Sequence, residues 1–113
     1  SKGGDPKRQT ECMATIVREA FDLYLRGSPV TGDVQVEEGL GFVHVDASQM
    51  HQVLNNLILN AIDAMPDGGR LWARLEKTVT GEGRPGLKVS IRDEGEGIPA
   101  EQVEQIFEPY FTT

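Results

Sequence analysis

The sequence predicts an α/β two-layer sandwich, in which helices cover one face of a mixed, mainly antiparallel sheet. Apolar residues recur at helical spacing in two long stretches, Met13–Tyr24 and residues 50–65, and shorter stretches alternate as strands do. With 113 residues, of which 38% are hydrophobic, the chain can build one core. We therefore expect one folded unit with a helical layer and a sheet layer.

The N-terminal part is predicted to contain a linker, a helix and a hairpin. Residues 1–9 are polar and glycine-bearing, and we interpret them as a linker or a remnant of cloning, with the domain spanning residues 10–113. Residues 34–37 and 41–45 are predicted to pair as a β-hairpin. The first helix should turn six residues toward the core: Met13, Ile16, Val17, Ala20, Phe21 and Tyr24.

A second hairpin is predicted from residues 70–80 and 85–93, and a short helix from residues 100–106. Alternation places Trp72 on the outer face of this hairpin, where it either covers the sheet or contacts another domain. The residues on the helix side are Leu71, Ala73 and Leu75.

The helix between the two hairpins carries a narrow polar stripe. Asp46 is predicted to cap its N-terminus, with Gln49 as the capping-box partner, and residues 65–69 to end it. At 100° per residue, the amides and the acid fall within roughly 40° of Asn56. These residues are Gln49, Gln52, Asn60 and Asp63, and the remaining arc holds Met50, Val53, Leu54, Leu57, Ile58, Ala61, Ile62 and Met65.

The composition of this stripe indicates a site rather than an ordinary solvated surface. A surface helix usually exposes Lys, Glu and Arg, which are good helix formers, whereas Asn and Asp are poor ones. Short amides favour coordination and hydrogen bonding. The alternative is that they solvate one face or bond to neighbouring loops.

A second motif joins a strand, residues 87–93, to a glycine-rich turn. Strand alternation places Asp93 on the apolar face, together with Leu87, Val89 and Ile91. A carboxylate in that position needs a donor, and the exocyclic amine of a purine would serve. Gly95 and Gly97 would let a planar ring approach the backbone. The alternative is a simple turn that Asp93 opens by bonding to its own backbone.

Three motifs in this order and spacing resemble the catalytic, ATP-binding domain of sensor histidine kinases. Residues 56–65 (NLILNAIDAM) resemble the N box, residues 93–98 (DEGEGI) the G1 box, and residues 106–113 (IFEPYFTT) the F box. The residues of these motifs are most similar to those of kinases of the nitrogen-regulation type. The resemblance implies the Bergerat nucleotide fold, which DNA gyrase, heat-shock chaperone and mismatch-repair ATPases share.

The resemblance also implies roles for individual residues. Asn60 would supply an oxygen to Mg²⁺ bridging the ATP phosphates, with Asn56 supporting the ion, and these two form the implied catalytic pair. Asp93 would receive the adenine amine. The remaining implied nucleotide contacts are Asp63, Gly95, Gly97, Ile98 and Phe107. Related ATPases carry a water-activating Glu where this chain has Asn56, which favours phosphoryl transfer over hydrolysis.

The implied reaction transfers the γ-phosphoryl of ATP to a histidine on a separate dimerisation domain, which in turn serves a response regulator. The alternatives are an ATPase of the chaperone or repair type and a docking fragment that does not bind nucleotide. The chain ends at Thr113, before the place of the family's glycine-rich G2 loop, so we expect a piece of a larger kinase that is inactive alone. His44 and His51 lack the context of a phosphoacceptor and are expected to be structural.

Composition narrows the partners and the compartment. The net charge of −7 argues against nucleic acid and against direct contact with an anionic membrane. Apolar runs stay well below the ~18 residues of a membrane span. The single Cys12 cannot form an intrachain disulfide, which fits a cytoplasmic location, although the whole kinase can still be membrane-anchored.

Overall fold

The structure, a computed structural model, describes residues 7–94, 102–107 and 109–110. Two helices and seven strands follow one another along these residues. In chain order they are β1 Gln9–Glu11, α1 Met13–Tyr24, β2 Val30–Val36, β3 Phe42–Val45, α2 Ala47–Ala64, β4 Gly69–Val79, β5 Pro85–Asp93, β6 Gln102–Phe107 and β7 Pro109–Tyr110.

The strands form two sheets. The larger has the order β2-β4-β5-β6, with β2 parallel to β4 and the other pairs antiparallel. The smaller has the order β1-β3-β7 and is antiparallel throughout. The core lies between the two helices and the larger sheet, where Val17, Ile58 and Leu75 are fully buried. This arrangement confirms the predicted two-layer fold with a mixed, mainly antiparallel sheet.

The second predicted hairpin is confirmed. β4 and β5 pair from Leu71–Asp93 to Val79–Pro85, and the Thr80 N–H donates to the Arg84 carbonyl at 2.8 Å to close the loop. Trp72 lies on the face away from the helices and is half-buried, with the Arg92 guanidinium 4.5 Å from its ring centre. Trp72 therefore covers the sheet together with a cation–π partner.

The first predicted hairpin, residues 34–37 with 41–45, is wrong. β2 pairs in parallel with β4, whereas β3 pairs with β1 and β7 in the other sheet. The pairing follows side-chain burial, because Val34 aligns with Ala73 and Val36 with Leu75, so the apolar residues of both strands share the helix side. β1 begins at Gln9, the last residue of the predicted linker.

The predicted helix over residues 100–106 is also wrong. Residues 102–107 form β6, which pairs antiparallel with β5 from Arg92–Gln102 to Leu87–Phe107. β5 already pairs with β4 on one side, and its second edge offers a row of main-chain donors and acceptors to this segment. Pairing with an available strand edge therefore prevails over the local preference for a helix.

The first helix confirms the predicted core face. Five of its six predicted core residues are buried, and Tyr24, near the helix end, is half-buried. α1 packs against α2, where His51 Nε2 lies 3.5 Å from Glu19 Oε1 and 6.2 Å separates the ring centres of His51 and Tyr24. His51 on α2 thus contacts two residues of α1, which fits a structural role. Neither helix of the described residues is long and apolar enough to cross a membrane.

Candidate functional site

The polar stripe of α2 faces outward as predicted. All five residues of the stripe are exposed: Gln49, Gln52, Asn56, Asn60 and Asp63. On the other side Leu54, Ile58 and Ala61 are buried. Burial of one face holds the helix in a fixed rotation, and the amide oxygens are thereby presented to the outside.

The apolar arc of α2 is narrower than predicted. Val53, which was assigned to the apolar arc, is 46% exposed, and Leu59, which was assigned to neither side, is 47% exposed. Their positions lie roughly 60° on either side of Asn56, so they flank the polar stripe. The exposed face is therefore a row of amides bordered by two aliphatic side chains.

Asp46 fixes the start of this helix and confirms the predicted N-cap. Its carboxylate accepts hydrogen bonds from the N–H groups of Lys7, Ser48 and Gln49 at 2.7 to 3.2 Å. These bonds, the one from Lys7 first, hold the pKa of Asp46 below its ordinary value, because they stabilise the ionised form. The charge also compensates the positive end of the helix dipole.

Asp93 is buried on the apolar side of β5, as predicted. The residue is 9% exposed, follows the buried residues Val89 and Ile91, and lies opposite Leu71 of β4. Among the described residues, none donates a hydrogen bond to its carboxylate. A carboxylate that is nearly buried and still open to a donor is suited to the amine of a ligand.

Gly69 lies where the end of α2 meets the end of β5. A Cβ at this glycine would lie 2.5 Å from the Met65 sulfur and 3.5 Å from Oε1 of Glu94. The backbone there has φ +156°, and the preceding Gly68 has φ +101°, so this tight turn favours glycine. Asn60 is five residues before Met65, about 7 Å along the helix axis. The turn therefore brings the polar stripe and the Asp93 motif to one side of the molecule.

Four predicted site residues follow β5 in the chain, and one of them, Phe107, is among the described residues. Phe107 is the last residue of β6, and its backbone pairs with Leu87. Gly95, Gly97 and Ile98 lie outside the described residues, so their predicted contacts with the base stay predictions.

Sequence reasoning missed Glu94. Its side chain accepts a hydrogen bond from the Arg70 N–H at 3.2 Å, while its own N–H donates to the Arg70 carbonyl at 3.1 Å. The available signal was its position, an acidic residue directly after a strand whose partner strand was already predicted.

The whole arrangement is that of a nucleotide-binding ATPase domain. Residues 45–113 match the family model described as histidine kinase-, DNA gyrase B-, and HSP90-like ATPase. The match covers more than half of the chain and includes α2, β4 and β5. The chain belongs to this family.

The proteins that are similar to this chain include bacterial kinases. Sporulation kinase A of Bacillus subtilis (strain 168) is 39% identical over 72 residues, which are 64% of this chain and 11% of that protein. Sensor histidine kinase ZraS of Escherichia coli O157:H7 is 42% identical over 71 residues, which are 63% of this chain and 14% of that protein. The chain thus spans a small part of the length of these relatives.

Solved structures share the fold. The catalytic domain of histidine kinase ThkA superposes with a TM-score of 0.67 at 24% identity, covering 82% of this chain and 62% of that chain. ThkA in complex with the response regulator protein TrrA gives a TM-score of 0.65 at 24% identity, covering 81% of this chain and 27% of that chain. At this identity the likeness shows the fold.

Proposed function

We propose that this chain is the ATP-binding catalytic domain of a two-component sensor histidine kinase. The whole protein transfers the γ-phosphoryl of ATP to a histidine on a separate dimerisation domain. The observation that carries the proposal is the pairing of a buried carboxylate open to a donor, Asp93, with an exposed row of amides on α2. An adenine amine fits the first group, and a magnesium–phosphate group fits the second.

The donor set suits magnesium bound together with phosphates. Asn60 and Asn56 are exposed, one turn apart, on the same face of α2. Amide oxygens are hard ligands, and Mg²⁺ commonly combines one or two protein oxygens with phosphates and waters. In the proposed site Asn60 would hold the ion and Asn56 would support it or its waters, and the ion would neutralise charge on the phosphates.

Phosphoryl transfer is favoured over hydrolysis by the residue types on the stripe. Transfer needs positioning and charge stabilisation, whereas hydrolysis also needs a group that activates water. Position 56, four residues before Asn60, is an amide and cannot act as a base. Asp63 is exposed at the end of the stripe, and we assign it a supporting role.

The proposed partners are the phosphoacceptor domain of the same kinase and a response regulator. The solved complex of ThkA with TrrA supports a response regulator as partner, since the chain shares the fold of that kinase. The net charge of −7 supports neither nucleic acid nor an anionic membrane as partner. A cytoplasmic location of this domain fits its proposed use of ATP.

Autophosphorylation of the whole protein in a magnesium series tests the proposal. Asn60→Ala should lower the rate at least ~10-fold, because a metal ligand is lost while the buried face of α2 is intact. Gln52→Ala is the matched control, since Gln52 is an exposed amide two turns earlier on the same stripe. The parent should acquire acid-labile label. Equal rates for Asn60→Ala and the parent at every magnesium concentration would show that Asn60 is not a ligand.

A further inference from the structure

The hydrogen-bond partners of the β4–β5 ladder change directly after the end of β5, at Glu94. Residues 70 and 94 lie opposite each other in the antiparallel ladder, and the Glu94 N–H donates to the Arg70 carbonyl at 3.1 Å. In a continued ladder the Arg70 N–H would donate to the Glu94 carbonyl. It donates instead to the Glu94 side chain, at 3.2 Å from Oε1. The carboxylate takes the place of the main-chain acceptor.

The hydrogen bond to the Glu94 carboxylate has two effects at the end of β5. The Arg70 N–H of β4 keeps a protein acceptor. The Glu94 carbonyl does not receive this hydrogen bond, because the side chain of the same residue receives it.

The same arrangement occurs at the opposite end of β4. The Glu37 N–H donates to the Leu75 carbonyl at 2.9 Å, and Glu37 Oε1 accepts from the Lys77 N–H at 2.8 Å. Glu37 follows β2 directly, as Glu94 follows β5. Arg70 and Lys77 are seven residues apart, which along a strand is roughly 23 Å. The chain therefore contains two equivalent side-chain contacts, one of which lies far from Asp93.

We propose that Glu94 is a positioning residue for the nucleotide base. Its carboxylate holds the end of β5 against the start of β4, and thereby fixes Asp93 relative to the purine. The contact lies beside Gly69, whose hypothetical Cβ would be 3.5 Å from Glu94 Oε1 and 2.5 Å from the Met65 sulfur, so it also fixes β5 relative to the end of α2. The proposal rests on the proposed function, since it assumes that adenine binds at Asp93.

The test is an NMR titration of the ¹⁵N-labelled chain with ADP and Mg²⁺, which measures even millimolar dissociation constants. Glu94→Ala should weaken ADP binding by about fivefold, the equivalent of about 1 kcal/mol for one lost hydrogen bond. Glu94→Gln should bind almost as the parent does, because the amide oxygen is still an acceptor. Hydrogen exchange at the Arg70 amide should become faster in Glu94→Ala alone.

Glu37→Ala is the matched control. It removes an equivalent hydrogen bond from the same strand and should lower the thermal midpoint as much as Glu94→Ala does, without changing the dissociation constant of ADP. Equal weakening by Glu37→Ala and Glu94→Ala would reduce Glu94 to a general stabilising role and overturn the proposal. Binding by Glu94→Gln as weak as that of Glu94→Ala would overturn the hydrogen-bond mechanism.

Asp93→Asn in the same titration separates this proposal from the function on which it rests. If Asp93→Asn weakens binding and Glu94→Ala does not, only the positioning role is wrong. If the parent shows no ADP-dependent shifts, or if Asp93→Asn binds as the parent does, adenine recognition at Asp93 is wrong and the positioning role fails with it.

Discussion

Asp93→Asn should separate nucleotide affinity from stability. In the folded chain Asp93 is 9% exposed and lies on the apolar side of β5, and its carboxylate receives no hydrogen bond from the described residues. The substitution keeps the size of the side chain and replaces one acceptor oxygen by an NH₂ donor. The uncharged amide offers the purine amine one acceptor oxygen and no longer provides a second one for a bridging water.

The expected loss of affinity follows from the charge of the acceptor. A hydrogen bond to a charged group contributes about 1.5–3 kcal/mol, which corresponds to a rise of about 10- to 150-fold in the dissociation constant of ADP. Stability should change in the opposite direction. A neutral amide is less costly to bury than a carboxylate that has no donor among the described residues, so the thermal midpoint should be unchanged or higher.

Calorimetric or NMR titration with ADP and thermal unfolding of the same samples measure both quantities. Asp33→Asn is the control, because Asp33 is a half-buried acid on β2, aligned with Trp72 rather than with the apolar side of β5. It should leave ADP affinity unchanged. An unchanged dissociation constant in Asp93→Asn, or a weaker affinity that is accompanied by a clear fall in the thermal midpoint, would refute the adenine assignment.

Two further predictions concern the helix that carries the amides. Ile58→Ala should lower the free energy of unfolding by about 2–5 kcal/mol, because Ile58 is fully buried, whereas Leu59→Ala, at a residue 47% exposed, should change it far less; denaturant titrations that give equal losses would contradict this packing. Asp46→Asn should lower the thermal midpoint at neutral pH, and this difference from the parent should begin to shrink at about pH 4 and vanish below the folded pKa of Asp46. The pKa of Asp46 is lower in the folded chain than in the unfolded chain, so ionisation of Asp46 stabilises the fold. This stabilisation is complete above the pKa of the unfolded chain, and it is lost as the pH falls through the pKa of the folded chain. A difference that persists in acid would contradict the role of the charge.

The local elements of the site were predictable because their signals are local. The burial of Leu54, Ile58 and Ala61 follows from helical spacing, and the exposed stripe follows from the same rotation. The burial of Asp93 follows from strand alternation with Val89 and Ile91. Each of these inferences needs fewer than twenty consecutive residues.

Strand pairing was less predictable, because partners are chosen across the whole chain. Adjacent strands usually pair, so β2 and β3 were predicted as a hairpin. In the structure the inward-facing Val34 and Val36 align with Ala73 and Leu75 of β4, about forty residues later. This long-range match of apolar faces has no local signature. β6 was missed for a related reason, since it becomes a strand beside an edge that β5 provides.

The meeting of the two motifs, in contrast, follows from elements that were predicted correctly. α2 ends at Ala64 and β4 begins at Gly69, so the hairpin starts where the helix stops. In an antiparallel hairpin, the end of the second strand lies beside the start of the first. Asp93 therefore lies opposite Leu71, next to the end of α2, and this does not depend on the length of the hairpin. The short turn between α2 and β4 thus brings the amide stripe and Asp93 together, as the proposed nucleotide site requires. Its geometry depends on Gly68 and Gly69, at which any side chain would be strained by a positive φ and would meet Pro29 or Met65.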